Sequence, residues 1–276
     1  MKLTLHGTRG SMGRAGPETM EFGGDTSCIE LVDGHGSTLV LDAGSGLSRL
    51  NQSFEPAPPR IDILLTHLHL DHLQGLGFFR PAFSSDSEVH LWGPASSTMT
   101  LSERLSRYLS PPLFPVRIRD LPALRFHDLR PGTYEVGDYE VTADLVCHPG
   151  PTLGFRITDG AKTVTYLPDH EPALGGNFPR AAEWTSGYDL SQGVEVLIHD
   201  FQYTAAEYEE RVGWGHSSIP QALQFAAQVE AQRFVSFHHD PDHDDSELRR
   251  LHEQAPDAGS LPFELIPGTG GLTIEV

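Results

Sequence analysis

The stretch Thr66-His67-Leu68-His69-Leu70-Asp71-His72 puts three histidines and an aspartate into seven residues, directly after the apolar run Ile61-Asp62-Ile63-Leu64-Leu65. Protonated imidazoles this close repel one another, and neutral ones compete for the same hydrogen-bond partners. A bound cation relieves both problems. In an extended segment, side chains two apart point the same way, so His67 and His69 can reach one ion. Asp71 and His72 follow where the chain turns, point differently, and can serve a second. Neutral imidazole beside a hard carboxylate suits a zinc-like or manganese-like dication.

A catalytic metal needs ligands from further along the chain. His148 in Val-Cys-His-Pro-Gly, Asp169 in Tyr-Leu-Pro-Asp-His, and His238 or His239 in Val-Ser-Phe-His-His-Asp-Pro-Asp-His each end a strand-like run. With Asp169 bridging, His67, His69 and His148 complete one site, and Asp71, His72 and His238 the other. Two ions about 3.5–4 Å apart clamp both oxygens of a displacement at phosphorus.

The elements that must position these residues follow from periodicity. Strands are expected in 2–7, 27–32, 37–44, 60–67, 87–94, 123–129, 138–148, 152–169, 194–200, 233–240 and 270–276, several of them alternating and some continuously apolar. Asp159-Gly160 marks a hairpin. Residues 70–80 read as a helix start that Asp71 caps. Residues 96–110 read as a helix stopped by prolines, 217–232 as one with a serine cap and an early proline, and 245–255 as a short one. Residues 172–192 are rich in Pro and Gly and read as a loop. The expected fold is an αβ/βα sandwich, two facing mixed sheets flanked by helices, with residues 1–276 as a single domain.

Composition narrows the function. Hydrophobic residues make up 38% and charged residues 21%, as in ordinary globular proteins. There is no apolar run of about 18 residues, so no membrane helix is expected. The start of the chain lacks the apolar core of a signal peptide, and a cytoplasmic location is expected. The formal net charge of −19 repels polyanions and gives no footprint for nucleic acid. A small anionic substrate can still bind where metal ions supply positive charge. Cys28 and Cys147 form no C-x-x-C pair, which excludes a cysteine zinc clasp.

The motif Thr66-His67-x-His69-x-Asp71-His72, followed by Gly75-Leu76, resembles the signature of metallo-β-lactamase-fold hydrolases. The segments GTRGS (7–11), GGDTSC (23–28), LDAGSG (41–46), PPLFPV (111–116), CHPG (147–150) and YLPDHEP (166–172) look like the branch holding phosphoribosyl cyclic phosphodiesterases and class II-like cyclic nucleotide phosphodiesterases. The resemblance covers nearly the whole chain. It implies His67, His69, Asp71, His72, His148, Asp169 and a late histidine as ligands of two divalent ions, zinc first, with manganese or iron open. The late HHDP is similar to the H-x-x-P pattern of tRNase Z, a register that favours His238 over His239. LIHDFQY (197–203) resembles the HEAT box of that family, with Asp200 in place of glutamate, and GHSS (215–218) its HST box. The resemblance therefore implies His216 as general acid and Asp200 as its orienter. Histidine suits that task, because a phosphoester leaving group needs a proton near neutral pH.

Asp42 reads as a turn former or as support behind the ligands. Asp25 and Thr26 lie beside a Gly-Gly turn and are expected to be structural first. His170 is left between touching a phosphate and supporting a ligand. His6, His90, His127, His199, His243 and His252 are expected to be structural. Three functions compete. The leading one is a dinuclear phosphodiesterase for a small, cyclic phosphodiester, with Asp71, His216 and Asp200 catalytic. The second is a tRNA 3′-processing endonuclease, which the charge disfavours. The third is a non-catalytic carrier like the PqqB-like relatives, which could dispense with ligands. A homodimer is left open, with Phe114 in SPPLFP a candidate contact.

Overall fold

The computed structural model of the protein describes residues 1–255 and 260–276. Among the described residues, fourteen strands make two sheets. The first holds β1 (Lys2–Gly7), β2 (Cys28–Val32), β3 (Thr38–Leu41), β4 (Arg60–Leu64), β5 (Glu88–Pro94) and β6 (Leu124–Leu129). The second is built from β7 (Gly132–Val136), β8 (Tyr139–Leu145), β9 (Leu153–Thr158), β10 (Thr163–Leu167), β11 (Val196–Asp200), β12 (Arg233–Phe237) and β13 (Glu264–Ile266). The last strand, β14 (Thr273–Glu275), returns to the first sheet and pairs with β1. The orders are β14-β1-β2-β3-β4-β5-β6 and β13-β12-β11-β10-β9-β8-β7. Each sheet is antiparallel on one side and parallel on the other, the parallel parts being β3 to β6 and β10 to β13.

Side-chain alternation explains the layers. In β1, Leu3 and Leu5 point inward and Lys2 outward. They join Ile29, Leu31, Leu39 and Leu41 against Phe155, Ile157, Tyr166, Ile198 and Phe237 of the other sheet. The parallel strand β11 is buried along its whole length because helices cover its outer face. Among the described residues, six α-helices flank the sheets: α1 (Leu50–Ser53), α2 (Leu101–Leu105), α3 (Tyr188–Ser191), α4 (Ala205–Glu209), α5 (Ile219–Gln228) and α6 (Asp245–Glu253). α5 starts with Ser218 in a capping box with Gln221, and Pro220 sits in its first turn. The result is the expected αβ/βα sandwich. Among the described residues, no helix is long and apolar enough to cross a membrane.

Some local expectations fail for physical reasons. No α-helix follows His72: residues 70–83 form three separate 3₁₀ turns, and Asp71 caps none of them. Its carboxylate is held elsewhere, by the Ser11 amide at 2.8 Å. Gly75 also lies so close to Gly44 that a Cβ would stand 2.1 Å from its carbonyl oxygen, which fixes the path of this segment. The helix expected in 96–110 shrinks to α2, capped by Thr100 and Glu103. The loop at 172–192 carries the short helix α3. Strands β7 and β13 went unread: both are edge strands whose residues are largely exposed or only half-buried, so they lack the apolar alternation that marks a strand.

Catalytic candidates gather at one rim. β4, β8, β10, β11 and β12 all end there, each releasing a histidine or aspartate within three residues of its last strand position. The Leu153 amide bonds the Thr66 carbonyl at 2.9 Å and ties the two sheets together at this edge.

Candidate metal centre

The rim assembles two groups of side chains that share no residue, and His216 joins two further sets that overlap them, one with His148 and Asp169 and one with Asp200 and His238. One ligand atom from each of His67, His69 and His148 lies within 4.8 Å of the others, and so do atoms from Asp71, His72, Asp169 and His238. Asp169 stands between the groups. Its Oδ1 is 3.7 Å from His67 Nε2 and 3.0 Å from His72 Nε2, while its Oδ2 is 3.1 Å from His238 Nε2. Both groups bring together residues that the sequence marks as candidate ligands, and His238 rather than His239 lies among them. His239 Nε2 faces away, 2.8 Å from the Gly268 carbonyl. His238 has a positive φ of 56°, and a Cβ on Gly10 would stand 2.3 Å from its Nδ1, so only glycine fits there.

The far side of most of these imidazoles is already occupied. His72 Nδ1 is 2.7 Å from Asp42, His148 Nδ1 is 2.9 Å from the Gly215 carbonyl, and His238 Nδ1 is 2.9 Å from Gln202 Oε1. His67 Nδ1 is 3.1 Å from the Thr66 hydroxyl. With their Nδ1–H committed outward, these rings turn Nε2 lone pairs inward. Inside, His72 and His238 face carboxylate oxygens at 3.0–3.3 Å. His67 Nε2, His72 Nε2 and Asp169 Oδ2 are buried without a hydrogen-bond partner. Lone pairs directed at lone pairs in a buried site call for cations, and nitrogen and carboxylate donors in these numbers fit divalent metal.

Electrostatics point the same way. Burial pulls His148 down to about 4, and burial together with the neighbouring His72 holds His67 well below the ordinary imidazole value. Both rings therefore stay neutral, as a metal ligand must be. Burial disfavours a charged His72, but Asp169, Asp71 and Asp42 outweigh it and raise that ring well above its usual value. Burial likewise opposes ionised Asp71, yet His72 and His238 hold its carboxyl far below the usual range. Three carboxylates around one buried ring are a field that attracts positive charge.

Behind the ligand atoms, Asp42 is fully buried and accepts hydrogen bonds from the Thr66 amide at 2.8 Å, the Thr66 hydroxyl at 2.9 Å and the Tyr166 hydroxyl at 2.9 Å, besides facing His72. It supports His72 and is no mere turn residue. Asp25 and Thr26 serve the framework: Asp25 holds Arg49 at 2.6 Å, and Thr26 bonds Ser45 and Gln74. His170 is fully buried with Nδ1 2.8 Å from His199 Nε2, an arrangement in keeping with a supporting residue. His6, His90 and His243 also find structural partners in Glu30, His127 and Glu207.

His216 and Asp200 form a separate pair at the same rim. His216 Nδ1 is 2.7 Å from Asp200 Oδ2, and the other Asp200 oxygen accepts the Ser217 and Gln202 amides at 3.1 Å. The shorter acid thus reaches its histidine fully. The His216 ring stacks on His238 with centroids 4.9 Å apart and meets His148 edge-on at 5.0 Å. Burial lowers its pKa, but Asp200 outweighs that and leaves it raised. Sequence reasoning missed Gln202, which orients His238. Its one signal was an amide two residues beyond Asp200, on the same face of an extended segment.

The family described as Beta-lactamase superfamily domain matches residues 37–239, a span that holds every residue of both groups. The chain belongs to the β-lactamase superfamily. Ribonuclease Z of Myxococcus xanthus is 25% identical to it, over 89% of this chain and 90% of the relative. The metallo-β-lactamase fold protein YhfI of Bacillus subtilis superposes with a TM-score of 0.72 at 19% identity, covering 99% of this chain and 98% of YhfI. A diphosphatase of the PhnP family superposes at 0.70 with 17% identity, covering 100% and 97%. These two share the fold. As a member of the superfamily, the protein is a metal-dependent hydrolase, and its buried His/Asp cluster could hold divalent metal.

Proposed function

We propose that this superfamily member is a dinuclear phosphodiesterase acting on a small, cyclic phosphodiester such as a cyclic nucleotide or a ribosyl cyclic phosphate. The observation that carries the reading is the His216–Asp200 pair, held at 2.7 Å against the rings of His148 and His238. A proton donor there suits a departing alkoxide, which is a poor leaving group. His67, His69 and His148 would hold one divalent ion and Asp71, His72 and His238 the other, with Asp169 between them. When bound, zinc, manganese or iron supplies Lewis acidity for the phosphoryl oxygens and acidifies water.

The side chains do the rest. Asp200 accepts the Nδ1–H of His216, which fixes the tautomer and leaves Nε2 to carry the proton given to the leaving oxygen. Asp71 contributes its carboxylate, held in place by the Ser11 amide at 2.8 Å. Asp42 and Gln202 hold the rings of His72 and His238. A cavity of about 320 Å³ beside His67 and His69, also lined by Ser96, Arg104 and Pro149, suits a substrate the size of a nucleotide. Two free cysteines agree with a cytoplasmic setting. Phe114, the candidate dimer contact, is half-buried and packs edge-on against Phe78 at 5.9 Å, which leaves the exposed Phe78 and Leu113 beside it as the apolar surface a homodimer would use.

A tRNA 3′-processing endonuclease is the second reading, favoured by the ribonuclease Z relative. The net charge of −19 opposes it, because a polyanion gains nothing by approaching this surface. A non-catalytic carrier would have no use for an acid pair at the rim. The test compares wild type with His216→Ala on two phosphodiesters. With a 2′,3′-cyclic nucleotide, whose leaving group is a ribose hydroxyl, the variant should lose about 10²–10⁴-fold in kcat. With bis(p-nitrophenyl) phosphate, whose leaving group needs no proton, the loss should be far smaller. Equal losses on both substrates would remove His216 from the role of acid.

A further inference from the structure

Glu171 follows Asp169 and His170 and is almost completely buried, yet nothing in the chemistry above uses it. Its carboxylate is fully engaged. Oε1 accepts the Tyr208 hydroxyl at 2.5 Å and the Gly213 amide at 3.1 Å; Oε2 accepts the Gly213 amide at 3.1 Å and the Gly215 amide at 3.0 Å. Its own amide donates to the Cys147 carbonyl at 3.0 Å, so its backbone is tied to the residue before His148.

Gly215 is the point where two parts of the site meet. Its amide goes to Glu171, its carbonyl receives His148 Nδ1 at 2.9 Å, and the next residue is His216. It has φ +88°, and a Cβ there would stand 2.4 Å from His148 Nδ1. No other residue fits, and fixing a glycine in one conformation costs entropy that a firm hydrogen-bond partner offsets. A buried carboxylate accepting several N–H and O–H donors is such an anchor.

We infer that Glu171 is a positioning residue: by pinning Gly213 and Gly215 it fixes both the Nδ1–H bond that turns His148 Nε2 inward and the backbone from which His216 projects. The inference rests on the two-ion reading above. A glutamine of the same size offers one acceptor oxygen in place of two, and in either orientation its NH2 group would face the Gly213 amide, which cannot accept it.

The test is a titration of metal-free protein with zinc, joined to long-range ¹H–¹⁵N spectra of the histidine rings. Glu171→Gln should weaken one of the two zinc-binding events about 10–100-fold, as loss of a group that orients a ligand does, and leave the other unchanged. The His148 ring should shift away from its Nδ1-protonated form. Tyr208→Phe, which spares both glycine amides, should bind zinc as wild type does. If Glu171→Gln keeps wild-type zinc affinity and the same His148 tautomer, or if Tyr208→Phe weakens zinc equally, the positioning role is wrong. Should Glu171→Gln not fold, wild type decides: slowly exchanging Gly213 and Gly215 amide protons support the clamp, and fast exchange of both overturns it. These readouts need no turnover. A wild type that hydrolyses no phosphodiester sinks the proposed function and still leaves Glu171 decided.

Discussion

At the scale of single residues, the site depends on which nitrogen each imidazole offers. Asp42, Gln202 and the Gly215 carbonyl take the outward N–H of His72, His238 and His148, and this leaves the inward nitrogens bare. Gln202→Ala should therefore weaken binding of one metal about 10–100-fold without unfolding the protein, as zinc titration and circular dichroism would show. Asp200 acts on a proton instead. His216 must be protonated to donate, its donating form is lost as pH rises through its pKa, and Asp200 raises that pKa against the pull of burial. Asp200→Asn should move the alkaline limb of the kcat profile to lower pH, and an unmoved limb would show that the pair does not set it. The convergence of His67, His69, Asp71, His72, His148 and Asp169 was legible because each lies in or just after a strand-like run. Gln202 and Glu171 were not, because their partners lie dozens of residues away and share no spacing with them.

At the scale of elements, the rim exists because parallel strands end together while close approaches fix the turns beyond them. Gly10 carries the N-terminal segment against the His238 ring, with no room for a Cβ. Gly10→Ala should displace His238 and cut bound metal, read by metal analysis of the purified variant. The cap of α5 is a stability element lying two residues past His216. Ser218→Ala should cost about 1 kcal/mol, and so lower Tm by about 2–4 °C in a calorimetric scan. The sandwich and most strands were legible from alternation and apolar runs. The edge strands β7 and β13 and the 3₁₀ turns after His72 were not. Edges need bury no full face, and those turns are set by contacts with Gly44 and Phe114 that sequence periodicity does not carry.

At the scale of the whole molecule, a chain of net charge −19 concentrates buried carboxylates and histidines at one rim. Metal should bind the folded state alone, so chelation should lower Tm, and metal return should restore it. The same charge separates the two phosphodiester readings. Cleavage of an RNA precursor, if any, should rise with added salt as repulsion is screened, the reverse of a protein that gains affinity from phosphate contacts. ³¹P NMR of metal-reconstituted protein with 2′,3′- and 3′,5′-cyclic nucleotides decides whether the rim hydrolyses phosphodiesters. Wild type should convert a cyclic diester resonance into a monoester, and Asp169→Ala should convert none. Protein that holds two metal ions yet leaves every phosphodiester intact would contradict that hydrolysis.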